Sequence, residues 1–345
     1  MHKKWNLGIL LSSLFFCLVS MSVMFFYMDT KAVNISEAQD VVTQVTDTVQ
    51  GDGGAEQLRF KVNDVTENGL SIPLNKGVKA EDISIENHYM TNQVWVYLDG
   101  TPAAFYKSNA LSGNLEKITA ATYEISGGKV LLKFTLENIY ECKTTLEEKI
   151  LKIEFVSPRD IYEKIVVIDV AYGGEETGIV QGALVEKDIV LDVAKRLKGL
   201  LDTTDIKVYY TRLSDVNVET ENRVRVANAL QADMLVSLHL NSSEDAESYG
   251  AEAFFNADYF IPEFGNAELA DCMERNLVST ISTRGNGVFA DEKNELLQKA
   301  YVPATVLKLG YASNVREAEL LMNEKYRDLI AQGLYTAIVA AYSNQ

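Results

Sequence analysis

Ile165-Val166-Val167-Ile168-Asp169-Val170-Ala171-Tyr172-Gly173-Gly174 opens the C-terminal half of the chain. Four consecutive β-branched residues suit a strand covered on both faces of a parallel sheet, and the run gives way to a glycine-rich loop between Asp169 and Gly182. Apolar residues then recur at helical spacing at Ile189, Val193, Leu197 and Leu200. The pattern predicts a strand over 206–210, a helix over 218–230, a strand over 234–240, a helix over 266–279 and a strand over 304–309. A final amphipathic helix runs through Leu329, Ile330, Leu334, Ile338 and Val339. Such alternation predicts an α/β unit, residues 161–345, with a twisted, mostly parallel sheet flanked by helices. Sites in these folds lie at the carboxyl ends of the strands, where this chain carries Asp169, Tyr172, His239, Asn241 and Lys308, with Glu186 at a helix start.

Upstream the period is two. Val130, Leu132, Phe134 and Leu136 share one face of a run, and Leu151, Ile153 and Phe155 repeat the pattern between Lys152 and Glu154. Asp99-Gly100 and Gly127-Gly128 supply turn chemistry, so residues 58–158 read as a small all-β domain of sandwich type. Within it His88 reads as a surface or hydrogen-bonded residue, and Trp95 and Tyr97 as packing positions alternating with Val94 and Val96. Ser157-Pro158-Arg159-Asp160 marks the boundary, since proline ends a strand. Residues 30–57 are polar and acidic without a sustained period and read as a flexible linker.

From Leu7 to Met28 no residue is charged, which matches the ~20 apolar residues of a membrane-spanning helix and exceeds the ~7 to 15 of a signal-peptide core. Lys3 and Lys4 precede the run and Asp29 follows it, so residues 1–29 are expected to form a cytoplasmic stub and a single-pass transmembrane anchor. The remainder would then face outward from the cell membrane.

A chain of 345 residues exceeds one ordinary core and suits two folded units. The net charge of −17 repels polyanions, which excludes DNA and RNA as expected partners. Cys17, Cys142 and Cys272 stand far apart, so neither a disulfide framework nor a thiolate zinc site is indicated.

Several short motifs recur in one order: 166–174 as quoted, Glu186-Lys187-Asp188, Thr211-Arg212 with Asp215, Arg223 with Ala227-Asn228, Ala232-Asp233, Ser237-Leu238-His239-Leu240-Asn241, and 303–314. Together they resemble the N-acetylmuramoyl-L-alanine amidases over 164–345, and the β domain resembles the peptidoglycan-targeting modules that precede such domains. The resemblance implies zinc-dependent hydrolysis of the amide between muramic acid and L-alanine, with peptidoglycan as partner. It implies two histidine ligands and one glutamate ligand, a fourth position open to an activated water, and a glutamate base in the last strand. Carried over, the glutamate ligand is Glu186 and one histidine is His239, with Asp169, Arg212 and Asn241 lining the groove.

Two positions depart. Tyr172 stands where the family has its first histidine, within Asp169-Val170-Ala171-Tyr172 in place of Asp-Pro-Gly-His, and Lys308 stands where it has the glutamate base. A neutral phenol with pKa near ~10 is a poor zinc ligand, and an ammonium is no base. The expectation is a degenerate zinc site in which the Lys308 ammonium replaces the metal cation and pairs with Glu186. Asp169, Glu175 or Glu176 is the alternative third ligand of an active enzyme. Three readings follow: a non-hydrolysing cell-wall protein that binds glycan or regulates a partner, an active zinc amidase, and a membrane-attached scaffold without glycan contact.

Overall fold

The structure is a computed structural model that describes residues 33–37, 55–61, 69–259 and 261–344. The predicted membrane anchor, 7–28, lies outside the described residues, among which no helix is long and apolar enough to cross a membrane.

In the C-terminal half the strands line up in the order Lys207–Tyr210, Ile165–Val170, Met234–Asn241, Ala304–Tyr311, Ala251–Phe255, Gly285–Ala290. The first four run parallel, as the buried apolar runs predict. Ala251–Phe255 runs antiparallel to Ala304–Tyr311 and parallel to Gly285–Ala290, so the sheet is mixed at that edge. These two strands are not foreseen from the sequence, because one holds only five residues and the other is broken by Gly285 and Gly287.

Strand alternation sorts the side chains. Val166, Ile168, Val170, Met234, Val236, Leu238, Leu307 and Leu309 turn to a core shared with the helices Glu186–Leu201, Asn266–Ile281 and Glu324–Asn344. Ile165, Val167, Leu235, Ala304 and Val306 turn to the other face, under the helices Thr220–Leu230 and Glu295–Lys299. Further along that second face, in the same alternation, come Asp169, Ser237, His239 and Lys308. The polar row is thus the continuation of an apolar one, at the carboxyl ends of the parallel strands.

The N-terminal half is a two-sheet sandwich. One sheet orders Asn34–Glu37, Ile83–His88, Gln93–Leu98, Lys129–Leu136, Ile118–Ser126, Glu56–Gln57, and the other Ser112–Gly113, Leu70–Pro73, Ile150–Val156, Glu141–Glu147. Their inner faces meet through Ile85, Val96, Leu132, Phe134, Leu151 and Ile153, all fully buried. On the outer face His88 bonds Glu86 at 3.0 Å and lies 4.0 Å from the Trp95 ring. The stretch read as a linker is structured at both ends. Asn34–Glu37 pairs in parallel with Ser84–Asn87, and Glu56–Gln57 pairs with Thr122 and Tyr123. The sequence misses them because an edge strand with one neighbour needs little apolar periodicity.

The two halves share a core. Tyr89, Met90 and Ile139 of the sandwich pack with Ile165, Val167, Tyr209 and Val218 on the second face of the mixed sheet. The Tyr89 hydroxyl donates to the Tyr210 carbonyl at 2.7 Å, and Arg225 donates to Asn92 at 2.7 Å and to the Met90 carbonyl at 2.6 Å.

Candidate functional site

Glu186 opens its helix, where the helix dipole favours a carboxylate, and is completely buried. A charge at that depth needs donors on both oxygens. Oε1 accepts the Leu240 backbone N–H at 2.8 Å and lies 3.2 Å from His239 Nδ1, while Oε2 accepts the Ile179 N–H at 2.9 Å. Burial pushes the Glu186 carboxyl up, but the His239 contact and the two backbone bonds outweigh it and hold it below its ordinary value. His239 is drawn down by burial, against the pull of Glu186 and with help from the Lys308 charge. The ring is therefore neutral, with Nδ1–H donating to Glu186 and Nε2 left as an acceptor, unpartnered among the described residues.

Tyr172 stands against this pair, its ring 5.4 Å from that of His239 and at 81° to it. Its backbone is left-handed, φ 59°, an uncommon conformation for a bulky residue. The loop returns over it at Gly178, where an added Cβ would fall 2.6 Å from the Tyr172 ring and 2.7 Å from Glu186 Oε2. Only glycine fits there, and the loop covers one side of the pair. Burial, then Glu186 and Glu176, push the Tyr172 phenol up, so it stays protonated.

Lys308 lies directly across from His239 on one side and Glu252 on the other. It is half-buried, and its ammonium makes no hydrogen bond or ion pair with any described residue, although it is not sealed from solvent. The expected Lys308–Glu186 pair is not formed, because the Leu240 and Ile179 N–H groups and His239 already occupy the Glu186 oxygens. Burial draws the Lys308 ammonium below its ordinary value, while Glu186, Glu252 and Asp291 oppose this through space.

Two residues lower on the same face lies a second polar cluster. Asp169 Oδ1 accepts from Thr211 Oγ1 at 2.8 Å and from Arg223 Nη1 at 2.9 Å, and Ser237 Oγ donates to Oδ2. Burial pushes Asp169 up, but Arg223 and the two hydroxyls more than reverse it. Arg223 also donates to the carbonyls of Val170 at 2.7 Å and Tyr172 at 3.1 Å, tying the start of the loop to the sheet.

The other expected groove residues divide. Arg212 is fully buried and donates to the carbonyls of Val170, Ala171, Lys187 and Ser214, so it fastens the loop and does not line a groove. Its many donors seek backbone acceptors, which a motif match alone does not show. Asn241 is half-buried and donates to Glu252, which also accepts the Tyr311 hydroxyl at 3.2 Å. Glu252 is absent from the sequence reading, although Ala251-Glu252-Ala253-Phe254 carries the alternation that would have placed it. A cavity of ≈ 190 Å³ opens between Tyr172, His239, Arg223, Glu176, Thr220 and Asn294.

These residues do not fit a zinc ion. A tetrahedral site needs three ligands converging on one point. Here Glu186 and His239 bond each other, Tyr172 holds its proton, Asp169 is engaged at both oxygens, and Lys308 brings a positive charge to the row. Among the described residues no three His, Cys, Asp or Glu side chains form a group able to hold a metal.

The comparisons with known proteins agree on ancestry. A family model described as N-acetylmuramoyl-L-alanine amidase matches residues 166–340. A germination-specific N-acetylmuramoyl-L-alanine amidase of Bacillus subtilis (strain 168) is 30% identical over 198 residues, covering 53% of this chain and 81% of the relative. The amidase LytC of the same organism is 24% identical over 242 residues, 70% of this chain and 47% of that protein. Among solved structures, the CwlD amidase from Clostridioides difficile in complex with the GerS lipoprotein matches with a TM-score of 0.50 and 26% identity, covering 53% of this chain and 100% of that one. By sequence and by fold, this chain belongs to the N-acetylmuramoyl-L-alanine amidase family.

Proposed function

We propose that this chain binds peptidoglycan without hydrolysing it, facing outward from the cell membrane to which residues 7–28 anchor it, with the sandwich as a further wall-contacting module. The observation that carries this reading is the state of the site. Glu186 and His239 hydrogen-bond each other at 3.2 Å, between a protonated phenol and an ammonium. Loss of a general base alone costs typically ~10²- to 10⁴-fold in rate, and the first histidine of the family's ligand set is missing as well.

The test uses the full-length chain and purified peptidoglycan, with stem-peptide release, sedimentation with the walls and zinc content as readouts. The expected result is sedimentation without chelator-sensitive release and little bound zinc, against about one equivalent in the Tyr172→His, Lys308→Glu variant, the ligand count of a three-ligand site. Chelator-sensitive release by the parent chain would establish an active amidase instead. Failure to sediment would favour a scaffold without glycan contact.

A further inference from the structure

We infer that Lys308 and His239 form an amide clamp, gripping one uncleaved secondary amide of a muramoyl peptide by its carbonyl and its N–H. The inference rests on the peptidoglycan-binding reading and names the group that is held. Three polar atoms of the upper row have no hydrogen-bond partner among the described residues: Lys308 Nζ, His239 Nε2 and the Tyr172 hydroxyl. Their chemistry is not interchangeable. Nζ carries donors in either protonation state. Nε2 accepts, because Nδ1 gives its hydrogen to Glu186.

His239 and Lys308 are cross-strand partners, so one donor and one acceptor stand side by side on the same face. The group that satisfies both is an amide lying across the two strands, its oxygen toward Lys308 and its N–H toward His239. Tyr172 offers a second donor at the cavity wall. A carboxylate suits the place less well. It has no hydrogen for Nε2, and Glu186, Glu252 and Asp291 surround Lys308 with negative charge. Asn241 and Tyr311 fix Glu252 on the far side of the row, so the carboxylate beside Lys308 is already satisfied and does not compete for the ammonium.

Calorimetry on the full-length chain tests this with two soluble probes, N-acetylmuramoyl-L-alanyl-D-isoglutamine and peptide-free N-acetylmuramic acid, which ends in a carboxylate where the first has the amide. The expected preference is on the order of 10-fold for the amide, the worth of one hydrogen bond to a charged group. Lys308→Met should lose a similar factor and Lys308→Arg should lose less. Equal or tighter binding of the acid by the unaltered protein overturns the clamp, whatever the variants do. So does a Lys308→Met protein that binds the amide probe as tightly as the parent. Binding to whole walls that ignores both the amide and Lys308 sinks the clamp alone. Absence of binding to walls and to both probes sinks the peptidoglycan reading and the clamp with it.

Discussion

Two polar clusters sit two residues apart on the strand Met234–Asn241, and they are built in opposite ways. The lower one, around Ser237, joins Asp169 to Arg223, Thr211 and Ser237 with both carboxylate oxygens engaged, and its ion pair is 2% and 6% exposed. In the upper one, around His239, Glu186 is saturated but His239 Nε2, Lys308 Nζ and the Tyr172 hydroxyl face outward without a protein partner among the described residues. A cluster whose bonds all close internally can only hold the fold together. One with bonds left over can hold something else.

The largest effect that could break this contrast lies in the lower cluster. Arg223→Met leaves Asp169 as a buried unpaired charge and frees several carbonyls, and should cost ~3–5 kcal/mol in denaturant unfolding. A cost under ~1 kcal/mol would mean that the lower cluster is not structural. Glu186→Gln keeps the shape but weakens three accepted bonds, and should cost ~1–3 kcal/mol. Smallest is Lys308→Met, which removes a charge that pairs with no described residue and should change stability by less than ~1 kcal/mol while affecting ligand binding. Lys308→Met costing as much as Arg223→Met would erase the distinction.

Acidification sharpens the same contrast. Asp169 has a folded-state pKa below its unfolded value, so its contribution is fully present above about pH 4 and is lost as pH falls through the depressed folded value. Comparing parent with Asp169→Asn, the stability gap should be constant near neutrality and narrow in that acidic window. A gap that is unchanged down to complete acid unfolding would show that the carboxylate charge is not what Arg223 needs.

The contrast also marks what the residues reveal by themselves. The runs Ile165–Val170 and Met234–Asn241 are legible because a strand covered on both faces needs unbroken apolar residues, and their ends placed Asp169 and His239 on one face. Glu186 reached the site only through the family motif, since a glutamate in a first helical turn is otherwise unremarked. The choice among nearby acceptors was not legible. Lys308 and His239 both neighbour a carboxylate, and backbone N–H groups of Leu240 and Ile179 decided which cation Glu186 could still receive. Glu252 escaped because its strand, Ala251–Phe255, is short and lies near a sheet edge.

The packing of Tyr89, Met90 and Ile139 onto the mixed sheet has a practical corollary. The sandwich is a lid on apolar surface that would otherwise meet water, so an excision at the Ser157–Asp160 boundary would bare Val167 and Val218 and strip the Tyr210 carbonyl of its hydroxyl donor. The halves are therefore not exchangeable cassettes. Grafting a foreign wall-binding module onto this sheet would require carrying the Tyr89–Asn92 corner along with it, because that corner belongs to the recipient's core as much as to the donor's.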